Sequence, residues 1–314
     1  MKDLARPSGW LLSLLVGVGM VAISCASLLI RLAEAPALTI ATYRVTLATL
    51  MIAPYLVVRE LPAPRPWPRH LLLPTIASGI FLALHFVFWI HSLQMTSVAS
   101  SVILVSTTPF FVAVFSLLWL RERLHRLLWI GIVCTVAGSV IIAGMDRHFS
   151  NESLRGDLLA LLGALMAGGY LLTGRLVRRH LDLTRYIFAS YGTAAAALLV
   201  ACRVTHTPLT GFSNSTYLFL GLLALVPQLI GHTTFNWTLG FLTPSLVAVL
   251  ILGEPLGASL LAYLFLGEHV SVNKFLGLCV VALGIVLASL PAPMADLKPR
   301  SPAGRPPCGP VDSE

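Results

Sequence analysis

Apolar residues are arranged along the chain in ten runs, each bounded by a short polar stretch. A helix of about 20 residues rises about 30 Å, which is the thickness of the hydrocarbon core of a bilayer. The pattern therefore predicts an all-α membrane protein with ten transmembrane helices. The predicted spans are 10–30, 36–58, 71–93, 97–119, 125–145, 156–175, 185–203, 216–239, 243–266 and 270–290.

Two distant regions of the chain share a pattern of helix-punctuating residues. Residues 98–143 align without a gap with residues 244–289 at an offset of 146. The matched positions are Pro109 with Pro255, Glu122 with Glu268, Gly131 with Gly277 and Gly138 with Gly284. Proline and glycine interrupt or end helices, so these matches are more informative than matches between leucines. They predict a duplicated unit, with helix kinks at Pro109 and Pro255.

The duplication divides the chain into two predicted repeats of five helices, residues 10–145 and 156–290. Residues 1–9 form a short N-terminus. Residues 291–314 are rich in Pro, Gly and charge and have no apolar period, so we expect a disordered tail. Glycines seven residues apart share a helix face and predict close helix packing. That face meets either the same chain or a second copy, which leaves a homodimer possible.

Composition and charge restrict the class of protein and its orientation. Only 11% of residues are charged, against about 25% in soluble domains, and 57% are hydrophobic. The net charge of +8 comes from clusters between apolar runs, which are typical of topology signals and exclude nucleic acid as the expected partner. With a cytoplasmic N-terminus, 15 of the 21 Lys and Arg lie on the inner side. We therefore predict a multi-pass protein of the cell membrane (inner or plasma membrane) with both termini cytoplasmic.

An odd number of helices per repeat has a consequence for topology. The second repeat crosses the membrane in the opposite direction to the first, so the two repeats are inverted. Inverted repeats are found in many secondary transporters, whose substrate site lies near the bilayer midplane between the halves.

Glu254 precedes Pro255 in the middle of a long apolar span. An ionisable group at this depth is expensive in a bilayer and indicates a functional site. The two functional interpretations are a proton-coupling group and a site for a substrate ammonium group. The structural interpretation is that Glu254 caps or hydrogen-bonds a broken helix, because proline cannot donate and disfavours helix at the residue before it. The first repeat has Thr108 at the equivalent position, so the site is asymmetric.

Arg44 lies within the second span, eight residues after Pro36. It is a candidate for binding a carboxylate or phosphate of the substrate. The alternatives are a structural pair with a carbonyl or carboxylate, or extension of the side chain to the outer interface.

Polar residues form stripes on two other predicted helices. Gln228, His232 and Asn236 are spaced four apart and share one face of the eighth span, while His85 and Trp89 are four apart on the third. These stripes are candidates for lining a wet cavity that holds substrate. The alternative is hydrogen bonding between helices, which contributes about 1 kcal/mol for each bond in membrane proteins. No spacing of His, Cys and carboxylates predicts a metal site.

The chain resembles the EamA family of the drug/metabolite transporter superfamily. The resemblance covers residues 10–290 and rests on the ten short spans, the two repeats and the segments 36–54, 109–131 and 255–277. It implies a small-molecule permease, often an exporter, with a central cavity walled by helices 1–4 and 6–9 and with helices 5 and 10 at the periphery.

Two classes of function were weighed. A secondary transporter agrees with the inverted repeats, and alternating access between the halves would be its mechanism. An intramembrane enzyme acting on lipid or peptide is the alternative, but the chain has none of the HExxH, GxSxG or paired-aspartate patterns that such chemistry uses. A nucleotide-binding loop is also absent from the sequence. We therefore expect no enzyme activity and no cofactor, and as partners only a small-molecule substrate and the lipid bilayer.

Overall fold

A computed structural model describes residues 8–60, 66–96, 101, 104–120, 124–143, 151–254, 256–257, 261 and 272–290. Every regular element within these ranges is helical, which confirms the all-α class. The predictions for Pro255, Glu122, Glu268, the N-terminal residues 1–7 and the tail 291–314 lie outside the described residues. The helices are α1 Gly9–Ser24, α2 Ala26–Leu32, α3 Ala37–Glu60, α4 Arg69–Met95, α5 Thr108–Phe115, α6 Arg126–Ala143, α7 Asn151–Arg178, α8 Leu183–Val204, α9 Asn214–Leu223, α10 Thr233–Thr238, α11 Pro244–Ile251 and α12 Val272–Ser289. Two segments are π-helical: Ser116–Leu120 continues α5, and Ala224–His232 joins α9 to α10.

Six of the helical stretches are long and apolar enough to cross a membrane. They are Gly9–Leu32, Ala37–Glu60, Arg69–Met95, Leu154–Arg178, Leu183–Val204 and Asn214–Thr238. Shorter apolar helices cover Thr108–Trp119, Arg126–Gly138 and Phe275–Ser289. Helices therefore occupy at least part of every predicted span, while six spans have their full length within the described residues.

The helices begin where the side chains can satisfy free backbone N–H groups. Asp182, Ser213 and Thr243 each accept a hydrogen bond from the backbone N–H three residues later, at the starts of α8, α9 and α11. Such caps stabilise a helix by about 1 kcal/mol each.

Large apolar side chains on the outside of the bundle face away from the protein. Trp10, Val58, Leu73, Trp119 and Val204 are among the most exposed of them. In water a surface of this kind would drive aggregation, whereas in lipid it contacts acyl chains. The surface therefore fits a protein that spans a bilayer several times.

The chain breaks its helix at equivalent places in the two repeats. Ser106 and Thr107 form a turn before α5, and Leu252 and Gly253 form a turn after α11. The N–H of Thr107 donates to the carbonyl of Leu104 at 3.2 Å, and that of Gly253 donates to the carbonyl of Leu250 at 3.0 Å. These bonds are related by the offset of 146. The turn before Pro109 lies within the described residues. Of the second break, the described part is the turn that ends at Glu254.

Helix packing also pairs equivalent elements of the two repeats. Helix α4 packs on α7, and α1 packs on the π-helical segment 224–232; α3 packs on α8, α5 on α11 and α6 on α12. A Cβ added to Gly131 would lie 2.6 Å from the Gly284 carbonyl oxygen, and one added to Gly138 would lie 2.8 Å from the Gly277 carbonyl oxygen. The two contacts exchange equivalent residues of the repeats. The predicted glycine faces therefore pack against each other within one chain.

Candidate functional site

A cavity of about 120 Å³ lies between the helices of the two repeats. Its walls come from both halves of the chain, including α3 and α4 from the first and α7, α10 and the α11 break from the second. Six of the seven candidate side chains line it, all except Gln228. The cavity-lining residues are Ile23, Ala26, Ser27, Arg44, His85, Trp89, Leu93, Val105, Ser106, Thr108, Ala167, Tyr170, Leu171, His232, Phe235, Asn236, Ala248, Ile251, Leu252 and Glu254.

Arg44 is the most deeply enclosed charge of the site. Only 1% of its surface is exposed, so its side chain does not extend to a membrane interface. Its Nε donates to Oε1 of Gln228 at 2.8 Å, and its guanidinium carbon lies 4.3 Å from the centre of the Phe86 ring. The cation–π contact and the hydrogen bond fix the plane of the guanidinium. One terminal nitrogen, Nη1, is buried and has no hydrogen-bond partner within the part of the chain that the structure describes.

Glu254 reaches the same cavity from the break that follows α11. Its backbone carbonyl accepts a hydrogen bond from Oγ of Ser24 at 3.2 Å, which ties the break to α1. Its carboxylate lines the cavity, and the opposite charges of Glu254 and Arg44 attract each other. No direct ion pair within 4.0 Å joins these two described residues. The two charges therefore share one enclosed space without neutralising each other by contact.

The two histidines of the site are held by aromatic neighbours. His85 donates from Nδ1 to the carbonyl of Gly163 at 2.9 Å and stacks on Trp89 with ring centroids 5.8 Å apart. His232 packs edge-on against Phe86 with centroids 5.6 Å apart. Because a carbonyl can only accept, the Nδ1 of His85 carries a proton and its orientation in the wall is fixed.

The polar stripe Gln228, His232 and Asn236 has three different environments. Gln228 lies behind the cavity wall and holds Arg44, while His232 and Asn236 line the cavity. Asn236 donates from Nδ2 to the hydroxyl oxygens of Tyr170 at 2.6 Å and Tyr191 at 3.0 Å. Its Oδ1 is buried and has no hydrogen-bond partner among the described residues. The three residues therefore do not all face the cavity: Gln228 supports Arg44, whereas His232 and Asn236 line the cavity. Gln228 lies in a π-helical segment, which changes the register of side chains along the helix.

Residues related by the offset of 146 meet at the cavity. Thr108 and Glu254 both line it, and so do Trp89 and Phe235. Phe86 and His232 are also equivalent positions, and they contact each other directly. Equivalent residues that face each other are the signature of packing about a two-fold axis, as in isologous dimers.

Sequence reasoning missed several residues that complete this site. Phe86 and Tyr191 contact Arg44 and Asn236 respectively, and Tyr170 lines the cavity. In the sequence they are aromatic residues of apolar helices, and no spacing distinguishes them from residues that face lipid. The equivalence of Phe86 and His232 at the offset of 146 was the signal that could have placed Phe86 at the centre.

At one end of the bundle, two arginines that the sequence indicated only as topology signals join α7 to α10. Arg178 is 2% exposed and donates from Nε to the Asn236 carbonyl at 3.1 Å and from Nη1 to the Leu181 carbonyl at 2.6 Å. Arg175 donates from Nη1 to the Leu239 carbonyl at 2.6 Å. These bonds clamp the end of α10 onto the end of α7.

Comparisons with known proteins agree with this architecture. The sequence profile of the EamA-like transporter family matches twice, over residues 8–144 and 154–290. The uncharacterized inner membrane transporter YedA of Escherichia coli K12 is 24% identical over 271 residues, covering 84% of this chain and 85% of the relative. The uncharacterized transporter YxxF of Bacillus subtilis strain 168 is 22% identical over 223 residues, covering 70% and 71%. A protein of known crystal structure shares the fold with a TM-score of 0.74 at 20% identity, over 90% of this chain and 97% of that one.

Proposed function

Because the chain belongs to the EamA-like transporter family, we propose that it is a secondary transporter that moves a small molecule by alternating access. The observation that carries the proposal is the cavity between the two repeats. Arg44, His85, Asn236 and Glu254 bring polar groups into the interior of an otherwise apolar bundle. Polar groups at this depth are expensive, and they are typical of substrate and ion pathways.

The reciprocal contacts support two inverted repeats of five helices. The exchanged glycine contacts of α6 and α12 and the contact of Phe86 with His232 are those expected around an approximate two-fold axis. If each repeat crosses the bilayer five times, the axis lies in the membrane plane. Rocking of one half against the other then exposes the same central site first to one side and then to the other.

The charge bias supports an orientation with both termini in the cytoplasm. In that orientation Arg175 and Arg178 lie at the cytoplasmic ends of their helix, and their bonds to the carbonyls of Leu239 and Asn236 close the cavity on that side. Ser27 lines the cavity at the start of α2, and Leu93 lines it near the C-terminal end of α4, which faces the opposite side in this orientation. The proposed state is therefore closed to the cytoplasm. Export is the proposed direction, which rests on the family resemblance alone.

Reconstitution tests the proposed function. Purified protein is placed in liposomes, and uptake and counterflow of radiolabelled amino acids, nucleosides and amphipathic drugs are measured against empty liposomes. A thermal-shift screen of the same solutes identifies which to label first, because a ligand that binds the folded state raises its melting temperature. Protein-dependent movement of at least one solute is expected. Failure to move any solute, combined with chemical alteration of lipid or peptide, would replace the transporter by an intramembrane enzyme.

A further inference from the structure

A second cavity, of about 240 Å³, lies at the end of the bundle away from Arg178. It is enclosed by α2, the connection from α2 to α3, the first turn of α3 and the last two turns of α4. The start of α4 lies at the arginine end, where the ring centroids of His70 and His180 are 6.3 Å apart. Because α4 has 27 residues and so rises about 40 Å, its last turns lie at the opposite end.

The second cavity changes character with depth. Arg31, Glu34 and Gln94 line it and are exposed, so the cavity opens at the surface of the bundle. Ile30 and Ile90 also line it, and both are buried. A solute that enters therefore passes from a polar rim to an apolar interior.

Two side chains, Ser27 and Leu93, line both the second cavity and the central one. A side chain that lines two cavities lies between them, so the two spaces meet at these residues. Ser27 is in the first turn of α2, directly after the interruption at Cys25, and carries a short side chain. Leu93 is half-buried near the end of α4 and is the larger of the two. The size of the Leu93 side chain therefore limits the width of the connection.

An apolar side chain at a narrow connection selects solutes in two ways. It limits their diameter, and it offers no hydrogen bond to replace the water that a polar solute must shed. Rotation of one leucine side chain makes room for a small solute. A larger solute requires α2 and α4 to move apart, which disturbs many packed side chains.

We propose that the second cavity is the route by which solutes reach the central cavity from this end, and that Leu93 determines the largest solute that passes. Leu93 is thus a specificity-determining residue that acts on access to the site. This inference rests on the proposed function, because it concerns access to the same central cavity.

Thiol labelling with reagents of two sizes tests the proposal. Ala167 lines the central cavity but not the second one, and Glu34 lines only the second. Each is replaced by cysteine in a full-length chain whose five native cysteines are changed to serine. Two membrane-impermeant methanethiosulfonates are used, one with a trimethylammonium group and one with a bulky sulfonated dye. They are applied to sealed vesicles from the side on which Glu34→Cys reacts.

The size of residue 93 should determine how fast Ala167→Cys reacts. Leu93→Ala is expected to raise its labelling by the bulky reagent at least about tenfold and by the small reagent less than about threefold. Leu93→Trp is expected to slow both reagents about tenfold. Labelling of Glu34→Cys should stay the same in every variant. Leu73→Ala and Leu73→Trp are the matched controls, because Leu73 lies on the same helix and is 75% exposed.

The opposite result is equally clear. If neither substitution of Leu93 changes the labelling of Ala167→Cys, or if both reagents respond equally to Leu93→Ala, the proposal is overturned. Should Leu93→Trp not fold, Leu93→Phe replaces it, and the comparison of reagents in Leu93→Ala decides alone. Should the cysteine-free chain not fold, the native cysteines are kept and the labelling of the chain without the reporter is subtracted.

Labelling separates this inference from the proposed function, since it requires no transport. Size-dependent labelling without movement of any solute in proteoliposomes contradicts the transporter and supports the access route. Solute movement combined with labelling that is insensitive to Leu93 contradicts the access route and leaves the transporter intact.

Discussion

At the scale of single residues, the site depends on two charges placed by different means. Arg44 is held rigidly by Gln228 and Phe86 in the middle of a regular helix. Glu254 follows a helix break, and its side chain makes no hydrogen bond to any other described residue. The guanidinium is therefore fixed by two side-chain contacts, whereas the carboxylate is placed by the backbone break that precedes it.

The first prediction concerns the guanidinium. Phe86→Leu removes the ring beneath the guanidinium and keeps apolar bulk, so it should cost about 1 kcal/mol of cation–π energy, or about a fivefold rise in KM. The cost falls on binding, because without the ring the guanidinium is no longer held in place beforehand and must be ordered when the ligand binds. The maximal rate should change little. Initial rates in proteoliposomes measure this, and Phe110→Leu on the exposed side of α5 is the control. An unchanged KM would show that Gln228 alone positions Arg44.

The second prediction concerns the carboxylate. Lowering the pH adds a proton to Glu254 and removes its negative charge, so wild-type binding of a cationic group at this carboxylate should weaken toward acid pH. His85 and His232 also face Arg44 across the cavity, and their protonation adds positive charge in the same direction. Glu254→Gln should resemble the acid form at all pH values and show a flatter profile. If its transport rate and pH profile both equal those of the wild type, Glu254 has no role in coupling or binding.

At the scale of helices, local breaks bring Thr108 and Glu254 to the cavity. Val105 and Thr108 flank the first break, Ile251 and Glu254 flank the second, and all four line the cavity. In a continuous helix, the backbone N–H and C=O groups would be paired with each other and would not be free for other partners. Broken helices next to a cavity are tolerated in membranes because the freed groups find partners inside the protein.

Helix α6 provides the third prediction, because its glycines allow close approach to α12. Gly131→Ala would place a methyl group 2.6 Å from the Gly284 carbonyl oxygen, so the two helices must separate. A lower melting temperature is expected, with a loss of order 1–3 kcal/mol typical of overpacking. Gly221→Ala on α9 meets no atom within 4 Å and is the control, since it should be neutral or slightly stabilising. Equal melting temperatures for the two variants would contradict the tight packing.

The sequence and the structure agree most closely at this scale. Long apolar runs predict helices well in a membrane, because the bilayer demands both the length and the internal backbone bonds. Pro109 indicated the break before α5 for the same local reason. The π-helical segment around Gln228 and the role of Phe86 depend on how neighbouring helices pack, and no local pattern encodes them. Pro255 and the count of ten helices stay predictions.

At the scale of the whole molecule, the closed end beside Arg178 distinguishes one side of the cavity from the other. Arg178 donates to the carbonyl of Asn236 on α10 and to the carbonyl of Leu181 in the connection between α7 and α8. Each hydrogen bond to a charged group contributes about 1.5–3 kcal/mol. Such energies suffice to shift an equilibrium between two conformations by tenfold or more.

The fourth prediction follows from this clamp. Arg178→Ala should favour the proposed state open toward the cytoplasm, because separating the ends of α7 and α10 would break the bond from Arg178 to the Asn236 carbonyl. In a cysteine-free background, Ser27→Cys reports access to the cavity from outside, and its labelling by an impermeant thiol reagent should slow about tenfold when Arg178→Ala is added. Arg126→Ala, an exposed arginine of α6, should leave the labelling rate unchanged. Faster labelling would place the clamp on the opposite side of the membrane.

The pairing of Thr108 with Glu254 at equivalent positions separates a duplicated chain from an assembly of two identical subunits. In a homodimer of five-helix chains, every residue near the axis would occur in pairs, so a cavity with one carboxylate would be impossible. Two glutamates beside two arginines would give a site symmetric in charge, with two equal orientations for any ligand. Fusion of the two halves into one polypeptide removes the requirement that residues near the axis occur in identical pairs. A single polypeptide can evolve each wall independently and bind a ligand in one orientation.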